Sequence, residues 1–340
     1  MPNREPQTDT RTWKADRGDA GRRIDLVVRR QLPDVDTATR TRVQKWIAGG
    51  CVTLNGIIVQ RVSTRAALGD RVALTIPAAD AARPRRVMLA EQMPLDIVFE
   101  DDHLLIVNKP AGLIVHPSYG HPRGTLMNGL LWRARQWTAG ERPSLVGRLD
   151  KQTSGLVLVA KNRAVHAALQ AAFAKPFGKP GVQKDYLALV YGRVPARGKI
   201  ELRLRRDPRD RRKVIASPTF GAASVTTFER LARVKASRVG LALLRCRLGT
   251  GRTHQIRVHL AASGWPIVGD RKYGAPRWSE IADVEVAAAL RDFPRQALHA
   301  WRIAFVHPVT RALIEVESVL PYDFTGLLAA TVPSWGLTGV

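Results

Sequence analysis

Acidic residues are scarce in this chain of 340 residues: 29 Asp and Glu stand against 54 Lys and Arg, a formal charge of +25. Such an imbalance favours a polyanionic partner, and nucleic acid is the commonest one, with acidic membranes as the rival. Cysteine is scarcer still, with Cys51 and Cys246 the only two. Their spacing excludes a disulfide framework and a zinc site, which suits a reducing cytoplasm. No stretch approaches the roughly 18 continuous apolar residues of a membrane span. The opening Met1-Pro-Asn-Arg-Glu-Pro6 is polar with an early acid, so it reads as neither a secretory signal nor a typical transit peptide. No internal repeat is visible. What remains is a chain with 45% hydrophobic residues, enough to build two or three domains with their own cores.

Residues 1–14 read as a mobile tail. From 15 to 77 the pattern is compact. Ile24, Leu26, Val27 and Val28 seed a short helix carrying Arg22, Arg23, Arg29 and Arg30. A second helix is expected over Thr37–Ala48, with Val43 and Ile47 on one face, Arg40, Arg42 and Lys45 on or beside the other, and Gly49-Gly50 at its end. Val52-Thr-Leu, Asn55-Gly56 and Ile57-Ile-Val form a hairpin signal, because Asn-Gly supplies two positive φ angles. A last strand is expected over Arg71–Ile76. Two basic helices on a small hairpin can dock on a phosphate backbone. The stretch 78–90 lacks periodicity and reads as a linker. A second domain spans 91–328, with strands at Asp96–Glu100 and Leu104–Val107 and a helix at about Thr125–Arg135. Strands recur without regular βαβ spacing, so the fold class is α+β with a mixed sheet. Residues 329–340 read as a loose tail.

Four segments of the second domain stand out for chemistry. In Gly147-Arg-Leu-Asp-Lys-Gln-Thr-Ser-Gly-Leu156 the carboxylate of Asp150 precedes a small polar turn and an apolar strand. Alone, such an Asp is more often a turn-former than a catalyst. In Lys184-Asp-Tyr-Leu-Ala-Leu-Val-Tyr-Gly192 the alternation places Lys184, Tyr186 and Ala188 on one strand face. In Gly249-Thr-Gly-Arg-Thr-His-Gln-Ile-Arg257 a glycine-rich turn carrying Arg252 enters a helix and can present N–H groups to phosphate. His254 and Arg257, three apart, would share a helical face. His254 and His259 lie five apart with no carboxylate between them, so no metal site is expected. Finally, Arg203 to Lys213 holds seven basic residues against two acids and reads as a phosphate-binding loop.

Together these segments make the chain resemble the RluA-type family of RNA pseudouridine synthases. The resemblance rests on Arg148-Leu-Asp-x-x-Thr-Ser-Gly-Leu156, preceded by Asn108-Lys-Pro-Ala-Gly-Leu-Ile-Val-His-Pro117. Lys184-x-Tyr-x-Ala-x-Val-x-Gly192 and Gly251-Arg-Thr-His-Gln-Ile-Arg-Val-His259 follow in the family's order. Gly264-Trp-Pro-Ile-Val-Gly-Asp-Arg-x-Tyr-Gly274, Arg295-Gln-Ala-Leu-His-Ala300 and His307-Pro308 complete it. Residues 22–77 resemble the small S-four-type RNA-binding domain often fused to this family.

The resemblance implies a pseudouridine synthase fold with a mixed, largely antiparallel central sheet and flanking helices, behind a small N-terminal αβ RNA-binding domain. It implies Asp150 as the essential aspartate, Tyr186 as the aromatic that stacks on the target base and Arg257 as the arginine paired to the aspartate. Arg148 would fill the gap left by the flipped nucleotide. Arg22, Arg23, Arg40, Arg42, Lys45, Arg252 and Lys213 are the expected backbone contacts. The expected activity is isomerisation of uridine in structured RNA, with large-subunit ribosomal RNA favoured over transfer RNA. No cofactor or metal is expected, and the protein is expected to be a cytoplasmic monomer. Its rivals are a non-catalytic RNA-binding or ribosome-assembly protein and a base-removing hydrolase. Two departures from the family pattern are Gly147, where many members have His, and a longer stretch over Lys175–Val182.

Overall fold

The computed structural model describes residues 9–32, 35, 38–81, 88–118, 120–174, 181–234 and 239–332. The chain divides into two compact units, 1–87 and 88–340.

The small unit contains β1 (Asp9–Lys14), α1 (Ile24–Arg30), α2 (Arg40–Ala48), β2 (Val52–Leu54), β3 (Ile57–Ile58), β4 (Arg71–Ile76) and α3 (Ala78–Ala81). Its four strands run in the order β1-β4-β2-β3. Asn55 and Gly56 take φ of 53° and 83°, the left-handed pair that a tight hairpin requires. Ile24, Val27 and Val28 of α1 and Val43, Trp46 and Ile47 of α2 pack on Val52, Val72 and Leu74. This core is the unit's own, closed by the apolar faces of two short helices.

Three boundaries differ from the sequence reading. Residues 9–14 are a strand paired along its length with β4, not part of a loose tail. Helix α2 starts at Arg40, where the Thr39 hydroxyl accepts from Arg42 N at 3.3 Å; Thr37 lies outside the described residues. The expected linker opens with α3, whose Asp80 accepts from Trp46 Nε1 at 2.7 Å, so 78–81 belong to the small unit. Residues 82–87 lie outside the described part.

The large unit contains β5 (Ile97–Glu100), β6 (Leu104–Lys109), α4 (Leu126–Arg133), β7 (Ser144–Leu145), β8 (Ser154–Ala160), α5 (Arg163–Phe173), β9 (Gln183–Tyr191), β10 (Arg197–Arg206), β11 (Val214–Ser217), β12 (Ala222–Val234) and β13 (Leu241–Leu248). Then follow α6 (Gln255–Ala262), α7 (Val284–Asp292), β14 (Leu298–Val306), β15 (Leu313–Glu317) and α8 (Tyr322–Thr331). One sheet of 11 strands runs β11-β10-β12-β13-β9-β14-β8-β6-β5, with β15 on β14 and β7 on β8. Among the described strands the single parallel pairing is β14 with β8, so the sheet is mixed and largely antiparallel, as expected. Helix α8 runs to Thr331, and Val332 packs into the core, so the domain extends past 328.

All seven residues of β8 are buried, as an apolar strand covered on both faces must be. Its parallel neighbour comes very close at Gly155. A Cβ there would lie 2.2 Å from Ala300 O, and its φ is +107°. Only glycine fits both restrictions. The turn that carries Asp150 is therefore fixed from its C-terminal side by the sheet.

Candidate active site

Asp150 sits on the loop entering β8. Thr153 N donates to Asp150 O at 3.1 Å, closing the turn. Neighbouring elements clamp that turn. Lys109 Nζ and Gly112 N donate to Lys151 O at 3.2 and 2.8 Å. Arg295 Nη1 donates to Gln152 O at 3.3 Å, and Gln296 Nε2 to Thr153 Oγ1 at 3.1 Å. Ser154 Oγ and His299 Nδ1 are 2.9 Å apart. The Asn108-Lys-Pro and Arg295-Gln-Ala-Leu-His segments thus converge on one loop and hold it rigid, as a site on a loop requires.

Lys109 is fully buried. Its ammonium also donates to Pro110 O at 2.7 Å and Leu113 O at 3.0 Å. Burial and the nearby Arg295 charge pull its pKa down to about 7, while Asp150 pulls the other way.

The carboxylate of Asp150 faces a cavity of about 820 Å³, whose lining includes Arg148, Tyr186, Arg252, His254 and Arg257. Arg257, from the first turn of α6, donates through Nη1 to Asp150 Oδ2 at 2.8 Å. Its Nε and Nη2 donate to Asp270 at 2.7 and 2.8 Å. Burial works against the guanidinium, but Asp270 and Asp150 outweigh it and raise the pKa. A buried arginine forked onto one carboxylate presents a fixed donor to the other. Asp270 is 1% exposed and Asp150 is 23% exposed at the side chain. Of the two, only Asp150 can therefore meet a ligand.

His254 Nε2 lies 3.7 Å from Asp150 Oδ1, beyond hydrogen-bond range. His254 is not on α6, as its spacing from Arg257 suggested. It is the residue before the helix, with φ of +54°. Its Nδ1 is 2.6 Å from Tyr273 Oη. The Tyr273 ring in turn lies under the Arg257 guanidinium, 4.9 Å from the ring centre.

Tyr186 projects from β9, opposite Cys246 of β13 and Ala300 of β14. It is 5% exposed. Burial and the Asp150 charge push its phenol pKa up, so the hydroxyl keeps its proton. Lys184, two residues earlier, is buried as well; burial brings its pKa down to about 8. Its Nζ lies 4.6 Å from the centre of the Phe173 ring. A Cβ on Gly147, whose φ is +98°, would meet that Nζ at 3.3 Å.

Arg148 and Arg252 are exposed on the cavity wall. Arg148 Nη2 donates to Thr253 Oγ1 at 3.4 Å. The glycine-rich turn is already partly occupied: Gly249 N donates to Val225 O, and Arg252 N to Gln255 Oε1. Two of its N–H groups are therefore not free for phosphate. Lys213 is exposed at the end of the turn between β10 and β11 and is not among the cavity-lining residues.

The remaining basic residues lie in the small unit. Arg22 and Lys45 are exposed and carry no ion pair among the described residues. Arg23 and Arg40 meet Asp25 at 3.0 and 3.4 Å, and Arg42 meets Asp80 at 3.5 Å. Of the expected lengthened stretch, 175–180 lies outside the described residues, and Gly181 and Val182 line the cavity. Among the described residues no group of three or more His, Cys, Asp or Glu could hold a metal ion.

Asp270, Tyr273 and Lys109 had no assigned role from sequence. The available signal was Asp270 itself, the single acid of the Gly264–Gly274 block.

The family described as RNA pseudouridylate synthase matches residues 103–262, and the S4 domain matches residues 22–72. A Xylella fastidiosa protein named ribosomal large subunit pseudouridine synthase D is 40% identical over 317 residues, covering 92% of this chain and 90% of that protein. A Pseudomonas aeruginosa protein of the same name is 36% identical over 310 residues, covering 91% and 92%. The solved structure of human RNA pseudouridylate synthase domain containing 1 has a TM-score of 0.51 and 27% identity, covering 70% of this chain and 87% of that one.

Proposed function

The chain belongs to the RNA pseudouridylate synthase family and carries an S4 domain, and on that footing we propose that it isomerises uridines of large-subunit ribosomal RNA, with Asp150 as the catalytic carboxylate. The observation that carries this reading is the asymmetry of Asp150. Arg257 binds its Oδ2 at 2.8 Å, while Oδ1 accepts no hydrogen bond among the described residues and has His254 Nε2 3.7 Å away. One oxygen is anchored and the other is free to act.

In the proposed reaction the bond from uracil N1 to ribose C1′ breaks, the uracil turns, and C5 bonds to C1′. The C5 proton is lost and N1 gains one, so no electrons are exchanged with an external reagent. Asp150 acts either by capturing C1′ or by removing a ribose proton. Arg257 fixes the carboxylate through a fork that is itself held by Asp270. The apolar ring of Tyr186 forms the wall against which the detached uracil can turn without escaping. The target base must leave its stack to enter the cavity, and Arg148, exposed at the wall, is placed to occupy the vacated position. Arg252, Lys213, and the S4-type unit with Arg22 and Lys45 supply phosphate contacts. Arg23, Arg40 and Arg42 add charge that is partly shared with Asp25 and Asp80.

The setting that fits this reading is the bacterial cytoplasm, and the working unit a monomer. Pseudouridine mapping of ribosomal and transfer RNA in a deletion strain and its parent tests the substrate. Sites lost from the large-subunit RNA support it; sites lost only from transfer RNA redirect it. Purified protein should yield pseudouridine without free uracil. Release of uracil would mean a base-removing hydrolase, and neither product a binding protein.

A further inference from the structure

His254 takes part in no step above, yet its surroundings are specific. It adopts φ of +54°, a left-handed conformation that is strained for a residue other than glycine. The helix could begin without it. The side chain is nonetheless turned into the cleft, 15% exposed, with Nε2 toward Asp150 Oδ1.

The partners of its two ring nitrogens point to where its proton lies. Val214 N donates to Tyr273 Oη at 2.9 Å. A backbone N–H can only donate, so the phenol oxygen receives this bond. That oxygen can accept a second bond as well, but the Asp150 carboxylate faces His254 Nε2 and favours a proton there, which leaves Nδ1, at 2.6 Å, as the acceptor of the phenol's proton. An imidazole that accepts at Nδ1 and is neutral carries its proton on Nε2. Burial supports the neutral form: it lowers the His254 pKa, with Arg257 and Lys272 pulling the same way against Asp150 and Asp270. The Nε2–H therefore points at the oxygen of Asp150 that Arg257 leaves free.

We propose that His254 is a positioning residue for Asp150, held as its Nε2–H tautomer by the Val214–Tyr273 chain so that its proton steers the free carboxylate oxygen. The inference rests on the proposed function. Arg257 fixes one oxygen by a short bond. His254 stands off the other, so a small rotation of the carboxylate brings Oδ1 within reach of Nε2–H. The free oxygen is thereby guided without being capped. A second arginine in this place would tie both oxygens and leave the carboxylate no freedom to engage the ribose.

The test combines spectroscopy and turnover. Nitrogen-15 spectra of the full chain labelled at histidine, with the His254 signals assigned by their loss in His254→Phe, report which ring nitrogen is protonated. The expected result in the wild-type protein is a protonated Nε2 and a bare Nδ1. Tyr273→Phe keeps the ring beneath Arg257 and removes only the hydroxyl. It should release the tautomer into a mixture and lower kcat by roughly tenfold to a hundredfold with little change in KM, as for misplaced catalytic groups. A wild-type Nδ1–H tautomer would overturn the proposal, as would wild-type kcat in both Tyr273→Phe and His254→Phe. If the wild-type protein makes no pseudouridine, the functional reading fails by itself. The tautomer measurement, which needs no activity and no variant beyond the one used for assignment, still decides the donor chain.

Discussion

In the small unit Asp25 has no exposed side-chain surface, and Arg23, Arg40 and Gln44 all reach its oxygens. In the large unit Asp150 keeps 23% of its side chain exposed, and among the described residues a single hydrogen bond, from Arg257, reaches its carboxylate. Burial tends to raise the Asp25 pKa, but the bonds from Gln44 and Arg23 and the arginine charges reverse the outcome and lower it. Asp25 is a saturated acceptor that ties α1 to α2. Asp150 is an unsaturated one, aimed into a cavity. Both carboxylates meet arginine, and the number of oxygens left over separates the structural role of Asp25 from the chemical role proposed for Asp150. The same saturation marks Asp185, 1% exposed, which takes two bonds from Arg247 and one from Arg302.

The comparison is sharpest at the two carboxylates themselves. Asp150→Asn should fold, bind RNA and lose turnover by on the order of 10⁴-fold, since the proposed reaction has no substitute for the group. Rapid pseudouridine formation by that variant in a single-turnover assay would break the contrast. Arg257→Ala should come next, with turnover down by roughly 10²- to 10³-fold and modest loss of affinity, because it strands Asp270 and unpins Asp150. Full activity there would place the chemistry elsewhere.

Removing residues 1–87 should leave the Asp150 cleft intact and weaken RNA binding. The slope of log affinity against log salt should become shallower by roughly 0.7–0.9 for each phosphate that the shortened protein no longer engages. An unchanged slope would show that the small unit does not touch RNA, and a turnover defect that saturating RNA cannot rescue would show that it shapes the cleft. Asp25→Ala should lower the stability of the small unit by about 2 kcal/mol in urea unfolding, with turnover at saturating RNA unchanged. Its arginines are solvent-accessible and are not stranded by the change. A turnover defect in that variant would blur the distinction.

A further contrast is a pH dependence that leaves the Asp150 chemistry aside. His299 and His259 are buried, and burial lowers each pKa to about 4 from 6.5. The unfolded chain then binds these protons first as pH falls. Stability is full above about pH 6.5 and declines as pH drops toward 4, by on the order of a few kcal/mol for the pair. Stability that stays flat across that window in His299→Asn, but not in His259→Asn, would assign the whole effect to the histidine behind the Asp150 turn.

Much of this arrangement could be read from residues alone. The motifs carrying Asp150, Tyr186 and Arg257 come from a loop, a strand and a helix, and the structure brings them to one cavity. The hairpin at Asn55-Gly56 was also legible, because turn chemistry is local; spacing disclosed a mixed sheet, and its largely antiparallel order followed from the family resemblance. Strand β1 was not. Its six residues are exposed or half-buried on an outer strand, so no apolar period distinguishes it from a tail. Its place is fixed by pairing with a strand some 60 residues away. The roles of Asp270 and Tyr273 were hidden for a related reason. Both act by facing α6 from the following loop, a relation set by tertiary packing. His254 was misplaced because helical spacing does not disclose a left-handed residue at the helix start.

Gly155 has a bearing on how sequences at this site can vary. With Ala300 O in the way of any Cβ and a φ closed to other residues, the position offers natural selection one letter, whatever the RNA. A library randomised at 155 should return glycine even when screened for folding alone, with no requirement for turnover. A library randomised at 150 should return many residues under the folding screen and aspartate only when product is demanded. The familiar run of letters around Asp150 is thus two superimposed records, one of steric exclusion and one of chemistry, and a pair of selections can separate them.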